Sequence, residues 1–346
     1  MSSRTPLTPY HHPTTVCLVD DSESFIKGLA LVMPAQMSSI AFFNPLDALE
    51  YVNRPQELPS LADRCFSAHE RSLRPLFQLD TGLIEQEINI ARRFNRLSVV
   101  IVDYSMPSIN GMEFCNRIND PHVGKVLLTG IADETIAVEA FNAGIIDRFI
   151  AKNHPRASEQ IGEYALDMQE AYFRTQTEQV QRTLSLTGPV FLNDPDVAHW
   201  IRRLMRRNNF CEHYMVSQPP GLLLLNPSGE VSQLVVMSEE ECTQQANYAE
   251  THAAPEAVVR RLRNRSHVGF LLDDPASYRH ADEQTDEYPW HEIIRPSTRL
   301  GNADHYWYAA LFDAPPQSID YHPDDACYQA WGSQRVALRP NNASLW

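Results

Sequence analysis

Short apolar runs alternate with amphipathic stretches through the first 154 residues of the chain. The runs predict strands at 16–20, 39–43, 98–102, 125–129 and 148–151. The stretches between them predict helices from about Ser22, through PLDALEYV, from Gly111, and over 133–143. Because the strands are almost wholly apolar, we expect both of their faces to be covered, as in a parallel sheet. The fold class predicted for residues 14–154 is therefore α/β, a doubly wound parallel sheet of five strands.

One stretch, about residues 53–96, is too long to be an ordinary connection within such a sheet. A helix-to-strand loop usually takes about 2–6 residues. We interpret this stretch as an insertion that is helical from Gly82 onwards. It is either a surface excursion or a segment that docks a partner, and the sequence does not choose between them.

The segment 155–187 is predicted to be a long linker helix. Its apolar positions step by four, three and four residues, as in a coiled-coil seam. They are Ile161, Ala165, Met168 and Tyr172. The helix either joins two domains and pairs with a second copy of itself, or lies on its own domain.

Residues 188–325 have a different pattern. A capped helix (NDPDVAHW) precedes two apolar strands, GLLLLN and VSQLVVM, that flank a turn containing Gly229. Helices over about 238–251 and 255–266 and the strands HEIIRP and HYWYAALFD follow. We expect a C-terminal α+β domain with a small antiparallel sheet, followed by a polar tail, 326–346, that frays.

Composition and charge narrow the class of protein. The chain has 346 residues, 43% of them hydrophobic, and a net charge of −15, which argues against a nonspecific nucleic-acid binder. No apolar run approaches the ~20 residues of a membrane span, and the N-terminus does not resemble a secretory signal. We expect a cytoplasmic protein without a membrane role. The six cysteines show no Cys-x-x-Cys spacing and are expected to be structural.

Acidic, hydroxyl and basic side chains follow directly on four of the predicted strands. They are Asp20 and Asp21, Asp103, Thr129, and Lys152. Because the carboxyl ends of parallel strands meet at one edge, these groups are expected to lie together. Three carboxylates would repel one another, and Mg²⁺ would relieve this, bound by Asp20, Asp21, Asp103 and the backbone carbonyl of Ser105. Asp103 is the predicted nucleophile and phosphoacceptor, with Thr129 and Lys152 each binding a phosphoryl oxygen.

These residues resemble the receiver domain of two-component response regulators, of the CheY-like superfamily. VDDSES carries the acidic pair, VDYSMPSINGMEF the Asp-x-x-Met-Pro-x-x-x-Gly signature, LLTGIADE the switch threonine, and AFNAGIIDRFIAK the aromatic and the lysine. The resemblance implies a flavodoxin-like fold, Mg²⁺ as cofactor, and a phosphoryl group taken from a sensor histidine kinase or phosphotransfer protein. It also implies a switch in which Thr129 moves towards the phosphate and Phe149 turns inward. One departure is that Lys152 is followed by Asn153-His154-Pro155, so the Lys-Pro bond usual in the family is missing.

The whole layout is similar to the response regulators of alpha-hydroxyketone (Lqs-type) quorum sensing. The similarity rests on the insertion, the long helix and the module that contains PPGLLLLNPSGEVSQLVVMSEEE. It implies a phosphoprotein of a quorum-sensing phosphorelay, dimerisation linked to phosphorylation, and an output domain of unknown target.

The output half contains no helix-turn-helix, cyclase, phosphodiesterase or phosphate-loop motif. Its two arginine groups are Arg202, Arg203, Arg206 and Arg207, and Arg260, Arg261, Arg263 and Arg265. Each group is a solvated face, a docking surface for an acidic partner or the receiver, or a nucleic-acid contact. We expect no enzyme activity beyond the receiver's own phosphorylation and dephosphorylation. An output by protein interaction ranks first, a phosphorylation-controlled DNA-binding transcription regulator second, and an enzymatic or ligand-binding output third.

Overall fold

The protein is described here from a computed structural model, which describes residues 5–34, 37–55, 59–68, 77–130, 134–186, 190–274, 277–278, 288–302, 305–317 and 319–337. The chain divides into two compact units. The parallel-sheet unit comprises His12–Ser60, Ala91–Glu178 and Tyr328–Trp346. The antiparallel-sheet unit comprises Met1–His11, Leu61–Ile90 and Gln179–Cys327. The chain therefore passes from one unit to the other at five points.

The parallel-sheet unit contains the five predicted strands. In spatial order they are Met37–Phe42, Thr14–Val19, Leu97–Asp103, Gly124–Thr129 and Arg148–Ala151. All neighbouring pairs are parallel, and the order is that of flavodoxin-like folds, so the predicted sheet is confirmed.

Helices cover both faces of this sheet. One core lies under the helices Pro45–Val52, Gly111–Asn116 and Glu134–Asn142, and a second lies under the helix Glu23–Val32 and the first half of the helix Ala157–Ser185. Ser22 caps the helix Glu23–Val32, and Asn110 caps Gly111–Asn116 by accepting a hydrogen bond from the amide of Glu113. These polar caps fix where each helix starts, directly beyond the strand that precedes it.

The predicted coiled-coil seam of the helix Ala157–Ser185 lies inside the protein. Ile161, Ala165 and Met168 pack in the core on the sheet, and Tyr172 is also buried. The seam is therefore not available for pairing with a second copy, and the prediction of a dimerisation helix is wrong for these residues. The alternative applies over 157–178, where the helix lies on its own domain, while its last turns, from Gln179, belong to the antiparallel-sheet unit.

Two further boundaries differ from the predicted domains. The predicted insertion is not a surface excursion of the parallel-sheet unit, because Leu61–Ile90 belongs to the antiparallel-sheet unit, where the side chain of Asn89 donates to the carbonyl of Asp320. The predicted tail contains a helix, Tyr328–Ala337, which packs in the parallel-sheet unit. The predicted break at 187–188 falls outside the described residues.

The antiparallel-sheet unit is built on six strands. In spatial order they are Tyr10–His11, Glu212–Ser217, Pro220–Leu225, Val231–Ser238, His305–Phe312 and Thr298–Asn302. The helices Glu239–Thr251 and Glu256–Arg263 pack with Val235, Tyr308 and Phe312 of this sheet in one core. The α+β class and the predicted hairpin are thus confirmed, whereas the strands Tyr10–His11, Glu212–Ser217 and Thr298–Asn302 were not predicted.

Shorter elements complete the described chain. They are the helices Leu61–Cys65, Gly82–Gln86, Pro195–Arg207 and Pro323–Ala326, the 3-10 turns Glu87–Asn89, Ala91–Asn95 and Phe191–Asn193, and the two-stranded ribbons Phe66–Ala68 with Phe77–Leu79 and His267–Gly269 with Ile294–Pro296. Among the residues that the structure describes, no helix has the length and hydrophobicity needed to cross a membrane.

Candidate functional site at the carboxyl edge of the parallel sheet

Three aspartates meet where the two central strands of the parallel sheet end. Asp20 follows Thr14–Val19, and Asp103 ends Leu97–Asp103. One carboxylate oxygen of each of Asp20, Asp21 and Asp103 lies within 4.8 Å of the others. Asp20 and Asp103 are 1% and 6% exposed, while Asp21 is exposed. The first two carboxylates are therefore held in the sheet edge and the third faces solvent.

Lys152 bridges the two buried carboxylates. Its Nζ lies 2.6 Å from Oδ2 of Asp20 and 2.9 Å from Oδ1 of Asp103. The other oxygen of Asp20 accepts a hydrogen bond of 2.8 Å from the amide of Ser22. Such charge-assisted hydrogen bonds fix the orientation of both carboxylates.

The electrostatics of the pair follow from burial and charge. Burial raises the pKa of Asp103, and the ammonium of Lys152 opposes that shift without cancelling it. Burial alone would lower the pKa of Lys152, but its hydrogen bonds and charge interactions with Asp20 and Asp103 together outweigh burial and raise it. Lys152 therefore stays charged between the two carboxylates.

The remaining predicted residues lie around this cluster. The hydroxyl of Thr129, at the end of Gly124–Thr129, is directed to the carbonyl of Ile150 at 3.5 Å. Phe149 is half-buried and packs against the core of the unit. Ser105 is exposed in the loop two residues beyond Asp103. The structure thus gathers Asp20, Asp21, Asp103 and Lys152, whereas the hydroxyl of Thr129 is turned to the last strand and Phe149, on that strand, packs against the core.

Gly111 of the sequence signature is required by a close backbone approach. A Cβ atom added to it would lie 2.3 Å from the carbonyl oxygen of Asp103 and 2.7 Å from a methyl carbon of Leu127. Its amide donates to the carbonyl of Tyr104 at 2.9 Å. Only glycine fits here, so the following helix can pack directly behind Asp103.

The unusual segment after Lys152 forms a short turn. The amide of Lys152 donates to the carbonyl of Thr129, and the amide of His154 donates to the carbonyl of Ala151. Nδ1 of His154 accepts from the amide of Arg156, just before the long helix starts at Ala157. The Asn153-His154-Pro155 sequence therefore leaves Lys152 in place.

The structure adds one residue that the sequence reasoning missed. The Nζ atom of Lys152 lies 4.6 Å from the centre of the Phe25 ring, a cation–π distance. Phe25 is on the helix Glu23–Val32, one turn after its cap. No sequence pattern marks it, because the contact is made across the sheet edge.

The donor set fits the predicted magnesium ion. Three carboxylates share the site with one ammonium, which leaves two negative charges uncompensated. Mg²⁺ prefers oxygen ligands and usually binds one or two carboxylates together with water and phosphate oxygens. The cluster therefore supplies the chemistry that such an ion needs.

Comparisons with known proteins agree with this geometry. The response regulator receiver domain family matches residues 84–160, a segment that holds Asp103, Thr129 and Lys152 but not Asp20 or Asp21. A curated relative, the cyclic di-GMP phosphodiesterase response regulator RpfG of Xanthomonas campestris pv. campestris (strain 8004), is 28% identical over 153 residues. That match covers 42% of this chain and 39% of the relative's length.

A solved structure is similar to nearly the whole chain. The Legionella pneumophila response regulator LqsR is 27% identical, with a TM-score of 0.73, and the match covers 97% of each chain. Its coverage includes both the parallel-sheet and the antiparallel-sheet units. The chain therefore contains a response regulator receiver domain, and its fold is similar to that of this regulator over nearly its whole length.

Proposed function

We propose that this protein is a cytoplasmic response regulator of a phosphorelay, with Asp103 as the phosphoacceptor. The observation that carries the proposal is the bridge from Lys152 to both Asp20 and Asp103 in a cluster of three carboxylates. The match to the receiver family over residues 84–160 supports the same role.

The chemistry gives each side chain a separate role. An oxygen of Asp103 attacks the phosphorus of a phosphohistidine on a sensor kinase or phosphotransfer protein; the P–N bond breaks and an acyl phosphate forms on Asp103. Lys152 is placed to keep one hydrogen bond to the modified aspartate and to bind a phosphoryl oxygen. The hydroxyl of Thr129 turns from the carbonyl of Ile150 towards the phosphoryl group, and Phe149 follows it inward.

Asp20, Asp21, Asp103 and the carbonyl of Ser105 would hold Mg²⁺. When bound, the ion supplies positive charge that offsets the repulsion between the carboxylates and the incoming phosphoryl oxygens. Asp20 and Asp21 would be its main carboxylate ligands, because one oxygen of Asp103 must remain free to react.

Output is proposed to run through protein contacts, in the manner of a quorum-sensing regulator. A homodimer cannot use Ile161, Ala165, Met168 and Tyr172, which are buried. It would instead use the helix Glu134–Asn142, where Val138 and Phe141 are 45% and 44% exposed. Light scattering of the protein before and after phosphorylation tests this: an increase in mass that Phe141→Ser prevents would support it.

The test of the phosphoacceptor is intact mass after incubation with acetyl phosphate and Mg²⁺. The wild type is expected to gain one phosphoryl group, and Asp103→Asn none. Omitting Mg²⁺ or changing Lys152→Ala should reduce the yield strongly. An adduct of equal yield on Asp103→Asn would place the acceptor elsewhere and contradict the proposal.

A further inference from the structure

The structure separates the two arginine groups of the antiparallel-sheet unit. In the helix Pro195–Arg207, Arg202 has a structural role, because its guanidinium donates to the carbonyls of Thr5 and Pro6 at 2.8 and 3.0 Å. It thereby fastens the N-terminal segment onto the helix. The other three arginines of the group have no such role.

Arg203, Arg206 and Arg207 are exposed on the side of the helix opposite Val197, Ala198 and Ile201, which are buried. Within the described residues, no hydrogen bond or ion pair engages these three guanidinium groups. His199 is also exposed, one turn before Arg203. We call His199, Arg203, Arg206 and Arg207 the basic stripe.

The acidic residues of the same helix lie at its other end. Asp194 is the cap and accepts hydrogen bonds from the amides of Asp196 and Val197. Asp196 is in the first turn, about two turns or more from Arg203 to Arg207. The helix dipole favours positive side chains in the last turns of a helix. It therefore explains why these residues are basic, but it does not explain why three arginines lie on the same face.

The second arginine group lies beside acids, and two of its four members pair with them. Arg263 pairs with Glu250, and Arg265 lies 3.7 Å from Glu239. Arg260 lines a surface groove together with Glu250 and Glu256. This helix hairpin therefore presents a mixture of charges, as a solvated face does.

The contrast matters because the unit as a whole is acidic. Its three segments hold 16 arginines and 26 aspartates and glutamates. Within the described residues, Arg64, Arg263 and Arg265 of this unit pair with acids, whereas the basic stripe is a local positive field on a negative body. Such a field selects partners by charge and raises the rate of their encounter.

We propose that the basic stripe docks an acidic segment of a partner protein, and that this is a contact through which the output unit acts. The inference deepens the proposed function, since it names the chemistry of an output partner. From Arg203 to Arg207 the helix rises by about 6 Å, which matches the spacing of carboxylates one turn apart on a partner helix. Guanidinium forks bind carboxylates with two parallel hydrogen bonds.

The same dimensions disfavour DNA. A DNA-binding protein commonly makes about 6–10 phosphate contacts, and the stripe offers three arginines and a histidine. A surrounding excess of acids would repel the phosphates on either side of such a short contact. An acidic protein segment is shorter than a DNA site and carries fewer negative charges per unit length. The surrounding acids therefore repel it less than they repel DNA.

The experiment uses the whole 346-residue chain, with a fluorescent poly-L-glutamate peptide as the probe. Binding is measured by the fluorescence anisotropy of the peptide at low ionic strength. The wild type should bind the peptide, and Arg203→Ala/Arg206→Ala/Arg207→Ala should bind on the order of 10-fold more weakly, because three exposed charge pairs are lost. The matched control is Arg260→Ala/Arg261→Ala/Arg263→Ala, which removes the same charge and should bind as the wild type does.

Each other outcome overturns the proposal. The proposal is wrong if the wild type does not bind the poly-L-glutamate peptide, or if both triple variants lose the same affinity for it. It is also wrong if the wild type binds a mixed-sequence DNA duplex more tightly than the peptide and that binding depends on the basic stripe. Self-association of the wild type that the first triple variant abolishes would make a second copy the partner instead. Both variants should still take up a phosphoryl group from acetyl phosphate, so failure of the stripe is distinguishable from failure of Asp103.

Discussion

In the parallel-sheet unit, Asp103, Thr129 and Lys152 come from the ends of three strands that follow one another in the chain and lie side by side in the sheet. In the antiparallel-sheet unit, by contrast, the strand Tyr10–His11 pairs with Glu212–Ser217, some two hundred residues away. In the parallel-sheet unit, polar groups that follow successive strands in the chain therefore meet at one edge of the sheet. The antiparallel-sheet unit uses its long-range contacts to assemble a core, and its basic stripe lies on the surface of one helix. A motif therefore marks the function of one unit and not of the other.

Removing the aromatic ring that the C-terminal helix contributes should have the largest effect. Trp331 is 7% exposed, its ring centre lies 5.5 Å from that of Phe94, and its indole N–H donates to Asn95. We expect Trp331→Ala to lower the free energy of unfolding of the parallel-sheet unit by about 3–5 kcal/mol. Hydrogen exchange should show lost protection in the strand Leu97–Asp103 and not in Val231–Ser238.

Leu186 provides the control for that change, because its side chain is 86% exposed. Leu186→Ala should leave exchange in both sheets unchanged. If Trp331→Ala lost protection equally in both sheets, the two units would unfold together. The two units would then not differ in their response to this change.

A methyl group at Gly111 should disturb the site from behind. Because the added Cβ would meet the carbonyl of Asp103 at 2.3 Å, backbone must move, and we expect Gly111→Ala to cost about 1–3 kcal/mol and to slow phosphorylation. Gly28→Ala is the matched control, since its added Cβ would meet no atom within 4 Å apart from its chain neighbours and the nearby backbone of its own helix, and alanine favours the helix. Mass spectrometry with acetyl phosphate gives the rate, and equal rates in the two variants would contradict the role assigned to Gly111.

The antiparallel-sheet unit should respond to mild acid through His213. Burial, followed by the neighbouring His11 ring and the charge of Arg202, lowers the pKa of His213 from 6.5 to about 3, although its hydrogen bond with the carbonyl of Thr8 opposes this. The unfolded chain binds a proton below about pH 6.5 that the folded unit does not. The stability contributed by neutral His213 is therefore complete above about pH 6.5 and falls by about 1.4 kcal/mol per pH unit below it.

Urea titrations at about pH 7.5 and 5.5, on either side of the ordinary histidine pKa, measure this loss. His213→Gln keeps a donor for Thr8 and does not titrate, so the difference between the wild type and the variant isolates the histidine. A pH dependence that is identical in both would show that other groups govern acid sensitivity.

The smallest effect is expected at Phe25. Its ring lies 4.6 Å from the ammonium of Lys152, and losing a cation–π contact of about 1 kcal/mol should slow phosphorylation about fivefold in Phe25→Leu. Phe25→Tyr keeps the ring face and should restore the rate. If both variants were phosphorylated slowly, the packing of the Phe25 side chain, and not its cation–π contact with Lys152, would determine the rate.

The sequence predicted the site well because each of its residues directly follows an apolar run. Asp20, Asp103, Thr129 and Lys152 could be placed at one sheet edge by topology alone. Phe25 could not, since nothing in a helix pattern says which side chain will lie under a lysine from another strand.

The domain boundaries were harder for a physical reason. Local pattern cannot say which sheet a segment joins, and Leu61–Ile90 packs in the antiparallel-sheet unit although both of its neighbours in the chain belong to the other. The seam of Ile161, Ala165, Met168 and Tyr172 shows the same limit, because a stripe that fits a coiled coil also fits the face of a sheet.

The position of Trp331 in the chain has a consequence for synthesis. A ribosome that has reached residue 178 has made every side chain of the cluster of Asp20, Asp21, Asp103 and Lys152, but the helix Tyr328–Ala337 that packs against Phe94 is still to come. All of Gln179–Cys327 must be translated before that helix emerges. The nascent parallel-sheet unit thus reaches its final packing only after Gln179–Cys327 of the antiparallel-sheet unit has been made, so a product truncated before Tyr328 would carry the carboxylate cluster in an incompletely packed unit.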